Sequence, residues 1–282
     1  METKVKSATD AKVRTANPLR DYFAALMMLL CIGVGVFLYV VIMGDPNNFE
    51  GKDTSKHPLP GNIMGLMYKG GFLVPLALGL LLMVVTFSIE RIITLGRASG
   101  KGSMDVFVQR IQIDLENNNM NAALAKCDEQ KGTVGNVVKA ALLKYKEMSE
   151  EAKTKGGDHN DKEQRIIAIQ KALEEATALE LPMLQKHLII IATIVSIATL
   201  IGLIGTVLGM IKAFAALATS GAPDAVALAT GISEALINTA IGISTSTIAT
   251  VVYNYFTARI DEMTYRIDEA GFSIVQTYAE KH

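Results

Sequence analysis

Four long apolar runs separated by polar stretches organise this chain. The first, AALMMLLCIGVGVFLYVVIM (24–43), carries no charge, and neither do GGFLVPLALGLLLMVVTFSI (70–89) and LIIIATIVSIATLIGLIGTVLGMI (188–211). The fourth extends from about Ala225 to Ala258 and contains a single charge, Glu234. Each run approaches or exceeds the ~20 residues a helix needs to cross the hydrocarbon core of a bilayer. The pattern therefore predicts an all-α, polytopic membrane protein with four transmembrane helices.

Between the second and third runs the pattern changes to an amphipathic one. In VVKAALLKYKEM, Val134, Val137, Val138, Ala141, Leu142 and Tyr145 recur at helical spacing, and IIAIQKALEEATALEL does the same. TKGGDHNDKE (154–163) interrupts the pattern with Gly and Asp/Asn. Residues 102–187 are thus expected to form a helical region of two to four helices. No turn signal separates Lys162 from Ile211, so the last of these helices is expected to run straight into the third span, with a kink at Pro182.

Lys and Arg near the span ends set the orientation. The first 23 residues hold five, Arg91, Arg97 and Lys101 follow the second span, and Arg259 and Arg266 follow the fourth. The 44–69 segment balances three bases with three acids, and the SGAPD turn has no base. Both termini are expected in the cytoplasm, with the 44–69 loop and the 219–224 turn outside. The first run is too long for a secretory signal and lacks a small-residue cleavage site, so it is expected to be a retained helix. The expected divisions are a tail, helix and outer loop (1–69), a second span with a basic end (70–101), the cytoplasmic helical region (102–187), the paired spans (188–258) and a C-terminal helix (259–282).

Composition narrows the chemistry. Half of the 282 residues are hydrophobic, with a mean hydropathy of +0.31, too apolar for an ordinary soluble domain. The balance of 27 basic against 28 acidic residues gives nucleic acid no footprint. Two cysteines, Cys31 and Cys127, suggest no disulfide framework, and four scattered histidines offer no metal spacing. No phosphate loop, catalytic triad or singled-out carboxylate pair is present, so neither an enzyme nor a cofactor is expected.

The candidate residues lie in the paired spans. At ~100° per residue, with Glu234 at zero, Thr245, Asn238, Gly242, Ser246 and Thr239 fall on one half of the fourth helix. Leu236, Ile237, Ile241, Ile248 and Val251 fall on the other, with Ser244, Thr247 and Val252 as exceptions. In the third span Ser196, Thr199, Gly202, Thr206, Gly209 and Ala213 gather on one flank, and Gly205 and Gly209 form a small-xxx-small pair for close helix packing. The candidate pathway set is Thr199, Thr206, Glu234, Asn238, Thr239, Thr245 and Ser246, with Gly202, Gly205, Gly209 and Gly242 as packing positions. Ser and Thr in membrane helices also bond back to their own carbonyls. An ionised carboxylate near mid-membrane costs on the order of 2.5–3.5 kcal/mol, so Glu234 is read either as part of an ion pathway or as a structural tie across a helix interface. Lys212, near the outer end of its span, is expected to snorkel to the interface.

ALEEATALELPMLQKHLIIIATIVSIATLIGLIGTVLGMIKAF followed by GISEALINTAIGISTSTIATVVYNYF resembles the paired helices of the MotA/TolQ/ExbB proton-channel family, in its ExbB and TolQ branches, over about residues 172–266. SIERIITLGRA fits the end of that family's first helix, and the 24–43 helix is an addition to its three-helix pattern. The resemblance implies an inner-membrane stator: a homo-oligomer, expected to be a pentamer, around an ExbD-like single-span partner, converting proton-motive force into work on a TonB-like transducer. It implies that Thr206 and Thr239 line the channel with Glu234 near the same path. Thr199 and Ile248 stand where relatives commonly have proline. The modest cytoplasmic region favours an ExbB-like or TolQ-like role over a MotA-like one. A stator for another motor and a non-conducting scaffold are the alternatives.

Overall fold

A computed structural model describes residues 18–155, 159–218 and 225–281. The basic residues before position 18 and the expected 219–224 turn lie outside the described residues. All the regular structure described is helical. Helix α1 (Pro18–Phe37) continues into a π-helical segment, Leu38–Met43. It is followed by α2 (Ile63–Tyr68), α3 (Leu73–Ala98), α4 (Met104–Glu116), α5 (Met120–Gln130), α6 (Gly132–Lys155), α7 (His159–Gln185), α8 (Leu188–Ala218) and α9 (Ala225–Lys281). Four of these are long and apolar enough to cross a membrane: α1 with its π-helical extension, α3, α8 and α9. The chain is a multi-pass membrane protein.

Helix α3 is the interior element of the membrane part. In its most apolar stretch 61% of residues are buried, against 33% in α8 and 28% in α9. It packs against α1 on one side and against α8 and α9 on the other. The additional helix α1 reaches the rest of the protein chiefly through α3, where Cys31 is buried with its Sγ 3.6 Å from Thr86 Oγ1. Beyond it the 44–69 loop folds into a compact cap. Tyr39 stacks on Tyr68, Phe49 meets the Tyr68 ring edge-on, and the Lys69 ammonium donates to the Thr54 and Ser55 carbonyls.

Helix α9 is a single rod of 57 residues, roughly 85 Å at 1.5 Å per residue. It runs unbroken past residue 258, because no Gly or Pro occurs between Ile243 and Ala270. Its distal half is a spine for α4, α6 and α7. Ile260, Met263, Ile267, Ala270 and Ile274 recur at three and four residues and are all buried. At its far end Lys281 Nζ donates to the Leu115 and Glu116 carbonyls at the C-terminal end of α4. Tyr278 Oη donates to the Met148 carbonyl of α6.

One expectation is corrected by the α7–α8 junction. The two helices are not continuous: α7 ends at Gln185, and His187 adopts a left-handed conformation (φ +66°) before α8 begins at Leu188. Pro182 lies within α7 and does not mark the break. Histidine is among the non-glycine residues that tolerate this conformation, and a tertiary contact described below holds it there.

Cys127 is buried in the extramembrane bundle, and burial pushes its thiol up to about 12. The thiolate is the reactive form, so alkylation of the native protein at pH 8 is expected to spare Cys127, with labelling by mass spectrometry appearing only after denaturation.

Candidate functional site

The site is built on the seam between α8 and α9, which the glycines bring into near-contact. A methyl group on Gly209 would stand 2.7 Å from both the Ala235 nitrogen and the Gly231 oxygen, and one on Gly205 would stand 2.3 Å from Asn238 Cβ. On Gly242 it would meet the Ala198 carbonyl at 2.6 Å, and on Gly202 the Asn238 carbonyl at 3.2 Å. Gly205, Gly209 and Lys212 are spaced i, i+4, i+7 and so share a helix face. With that face against α9, Lys212 projects over Glu234.

The Lys212 ammonium donates to both carboxylate oxygens of Glu234, at 2.6 and 2.9 Å. The expectation that Lys212 snorkels away to the interface is therefore corrected. The close approach at Gly209 puts a carboxylate within its reach, and a buried anion without a partner is far costlier than a bent lysine. Glu234 itself is 8% exposed.

The α2–α3 turn closes the site from the third side. Gly71 has φ +77°, and a methyl group there would lie 2.2 Å from Glu234 Oε1, so only glycine meets both the backbone and the space requirement. Asn238, one turn on from Glu234 and 2% exposed, donates through Nδ2 to the Gly70 carbonyl at 2.7 Å and to the Glu234 carbonyl at 3.0 Å. A single amide thus ties α9 to the α2–α3 turn.

The remaining candidates separate into three groups. Thr239 Oγ1 lies 3.1 Å from the carbonyls of Gly202 and Ala235, and Ser246 Oγ donates to the Val195 carbonyl at 2.7 Å, so both bind α8 to α9. Thr245 is buried with Oγ1 unpartnered among the described residues. Thr199 and Thr206 sit on the outward side of α8, their hydroxyls turned back to the carbonyls of Val195 and Leu203. Thr206 lies beside Val207, Met210 and Phe214. The structure gathers Glu234, Asn238, Thr239 and Lys212 within one subunit and leaves Thr199 and Thr206 facing outward.

A second polar cluster lies at the other end of α3. Arg91 is 2% exposed; its guanidinium donates to both Glu90 oxygens and to the carbonyls of Met183 and Leu184, at 3.5 and 3.1 Å. Those carbonyls belong to the last turn of α7. Glu90 also accepts from Thr94 and sits 3.3 Å from His187 Nδ1. This cluster therefore fixes the α7–α8 elbow. The Glu-Arg pair in SIERIITL is visible in the sequence, whereas its target 92 residues away is not.

Residues 130–269 match the sequence profile of the MotA/TolQ/ExbB proton channel family. The chain is 39% identical over 84 residues to an ExbB-like biopolymer transport protein of Synechocystis, covering 29% of this chain and 40% of that one. It is 25% identical over 209 residues to an ExbB homolog of Methanothermobacter thermautotrophicus, covering 74% and 67%. It is 38% identical over 91 residues to the Tol-Pal system protein TolQ of Pseudomonas aeruginosa, covering 32% and 39%. The matched part thus spans only about two fifths of the Synechocystis and Pseudomonas proteins.

Proposed function

Starting from a chain that belongs to the MotA/TolQ/ExbB proton channel family, we propose that it is an ExbB-like stator subunit of a bacterial inner membrane, with both termini in the cytoplasm. Several copies, five in our reading, form a ring around an ExbD-like single-span partner and pass work to a TonB-like transducer. The observation that carries this reading is Glu234: a buried carboxylate at the α8–α9 seam of an apolar helix pair, inside the family-matched stretch. The broad apolar faces that α8 and α9 leave exposed, including Leu200, Leu203, Val207 and Leu236, supply surface for neighbouring copies, the guest helix and lipid. Thr199 and Thr206 are the hydroxyls on the outward side of α8 that a guest helix would meet. In this reading Glu234, with Asn238, Thr239, Thr245 and Ser246 along the same seam, belongs to the wall that borders the proton path. One proton crossing 100 mV provides ~2.3 kcal/mol, so a few per cycle suffice to repack helices.

Replacing Glu234 by Gln tests the reading. The carboxamide keeps the shape and removes the charge, so the ring is expected to assemble, as read on a native gel. Uptake through a TonB-dependent receptor is expected to fall to the level of a strain lacking the gene. A scaffold whose Glu234–Lys212 pair is only a structural tie would keep both. Two TolQ proteins are 38% and 39% identical to this chain over the matched stretch, which supports a TolQ-like role in envelope maintenance as the second reading. In that case the same variant leaves uptake intact and weakens the outer-membrane barrier, measured as detergent sensitivity.

A further inference from the structure

The Lys212–Glu234 pair is divided unevenly: the carboxylate side chain is 11% exposed and the lysine 54%. A carboxylate buried among membrane helices can be compensated by a proton, by a mobile cation or by a fixed one. A hard mobile cation would sit where the two carboxylate oxygens converge and would recruit further oxygens around itself. Here the Lys212 ammonium stands at that point, 2.6 Å from Oε1 and 2.9 Å from Oε2. Two nearby main-chain oxygens are engaged as well, and the buried Asn238 Oδ1 is the neighbouring side-chain oxygen without a partner among the described residues. The carbonyls of Gly70 and Glu234 both accept from Asn238 Nδ2, and Gly71 packs against Oε1 so tightly that a methyl group would not fit between them.

We propose that Lys212 is a specificity-determining residue, a tethered cation that occupies the counter-ion position of Glu234 and keeps sodium and potassium out of the site. The inference rests on the proton-channel reading above and adds to it a reason why the proton is the exchangeable species. A proton can join the carboxylate while the ammonium stays in place. An alkali ion has to displace the ammonium from both oxygens, and the Gly70 and Glu234 carbonyls already accept from Asn238 Nδ2.

The test uses the full chain in its purified native assembly, with thermal unfolding compared in sodium chloride and in N-methylglucamine chloride at equal ionic strength. The wild-type Tm is expected to be the same in both salts. Lys212→Met empties the counter-ion position, and its Tm is expected to rise by about 2–4 °C in sodium. The double variant with Glu234→Gln is expected to lose that rise. Lys212→Arg, which keeps a fixed cation, is expected to match the wild type. A wild-type protein that responds to sodium overturns the proposal, and so does a Lys212→Met protein indifferent to it. Should the methionine variant fail to accumulate, Lys212→Gln is judged by the same comparison. Because these are binding readouts, they stand apart from the stator reading, which fails separately if Glu234→Gln retains energised uptake.

Discussion

Replacing Gly209 by valine is expected to separate α8 from α9 and to destabilise the protein by about 3 kcal/mol or more. The first added carbon alone would stand 2.7 Å from main-chain atoms of Gly231 and Ala235, and main chain cannot rotate aside as a flexible side chain can. Lys212, one turn further along the same face, would be carried off Glu234 with the helix. The substitution thus removes packing and leaves a buried carboxylate uncompensated together. Thermal unfolding of the purified protein and recovery of assembled complex both report the effect. Gly96, which has open space around its missing side chain, is the matched control, and its valine variant is expected to unfold near the wild-type temperature.

The second large effect is expected at Arg91. Its methionine variant fills most of the same volume but leaves Glu90 without its guanidinium and takes the Arg91 donor from the Met183 and Leu184 carbonyls. Removing one partner of a buried ion pair costs about 3–5 kcal/mol; the Glu90 side chain is 26% exposed, which puts the expected loss at about 3 kcal/mol. The damage should be local before it is global. Limited proteolysis is expected to cut first at the Lys186–His187 elbow, at protease levels that leave the wild-type protein intact. Arg91→Lys keeps the charge without the fork that spans a carboxylate and two carbonyls, and it is expected to lie between the two.

These effects tie the two ends of α3 to different tasks. At one end the α2–α3 turn that leads into it confines the Glu234 carboxylate and receives Asn238. At the other, Arg91 fixes the elbow between the extramembrane helix α7 and the α8–α9 pair. Helix α9 passes through both regions as one continuous rod, so a shift at the Glu234 seam has a mechanical path to the bundle that needs no intervening loop.

Much of this protein is legible in its sequence. Four apolar runs of membrane length, the amphipathic periodicity of 134–145 and the polar half of the fourth span follow from residue type and spacing alone, because bilayer thickness and the helical repeat are fixed quantities. The close approach at Gly205 and Gly209 belongs to the same class, since a missing side chain is a local property. The tertiary structure decided what depends on distance between segments. Lys212 alone reads as an interfacial lysine, and only the antiparallel register of α8 and α9 turns it onto Glu234. The break at His187 carries no glycine or proline signal, and it is held by Glu90 and Arg91 from a helix about 95 residues earlier. Gly70 and Gly71 read as the start of an apolar run until α9 is packed over them. Local pattern fixes which segments are helices and which faces are apolar, whereas the partner of a buried charge is chosen by the whole packing, because its energy depends on what the fold brings within about 3 Å.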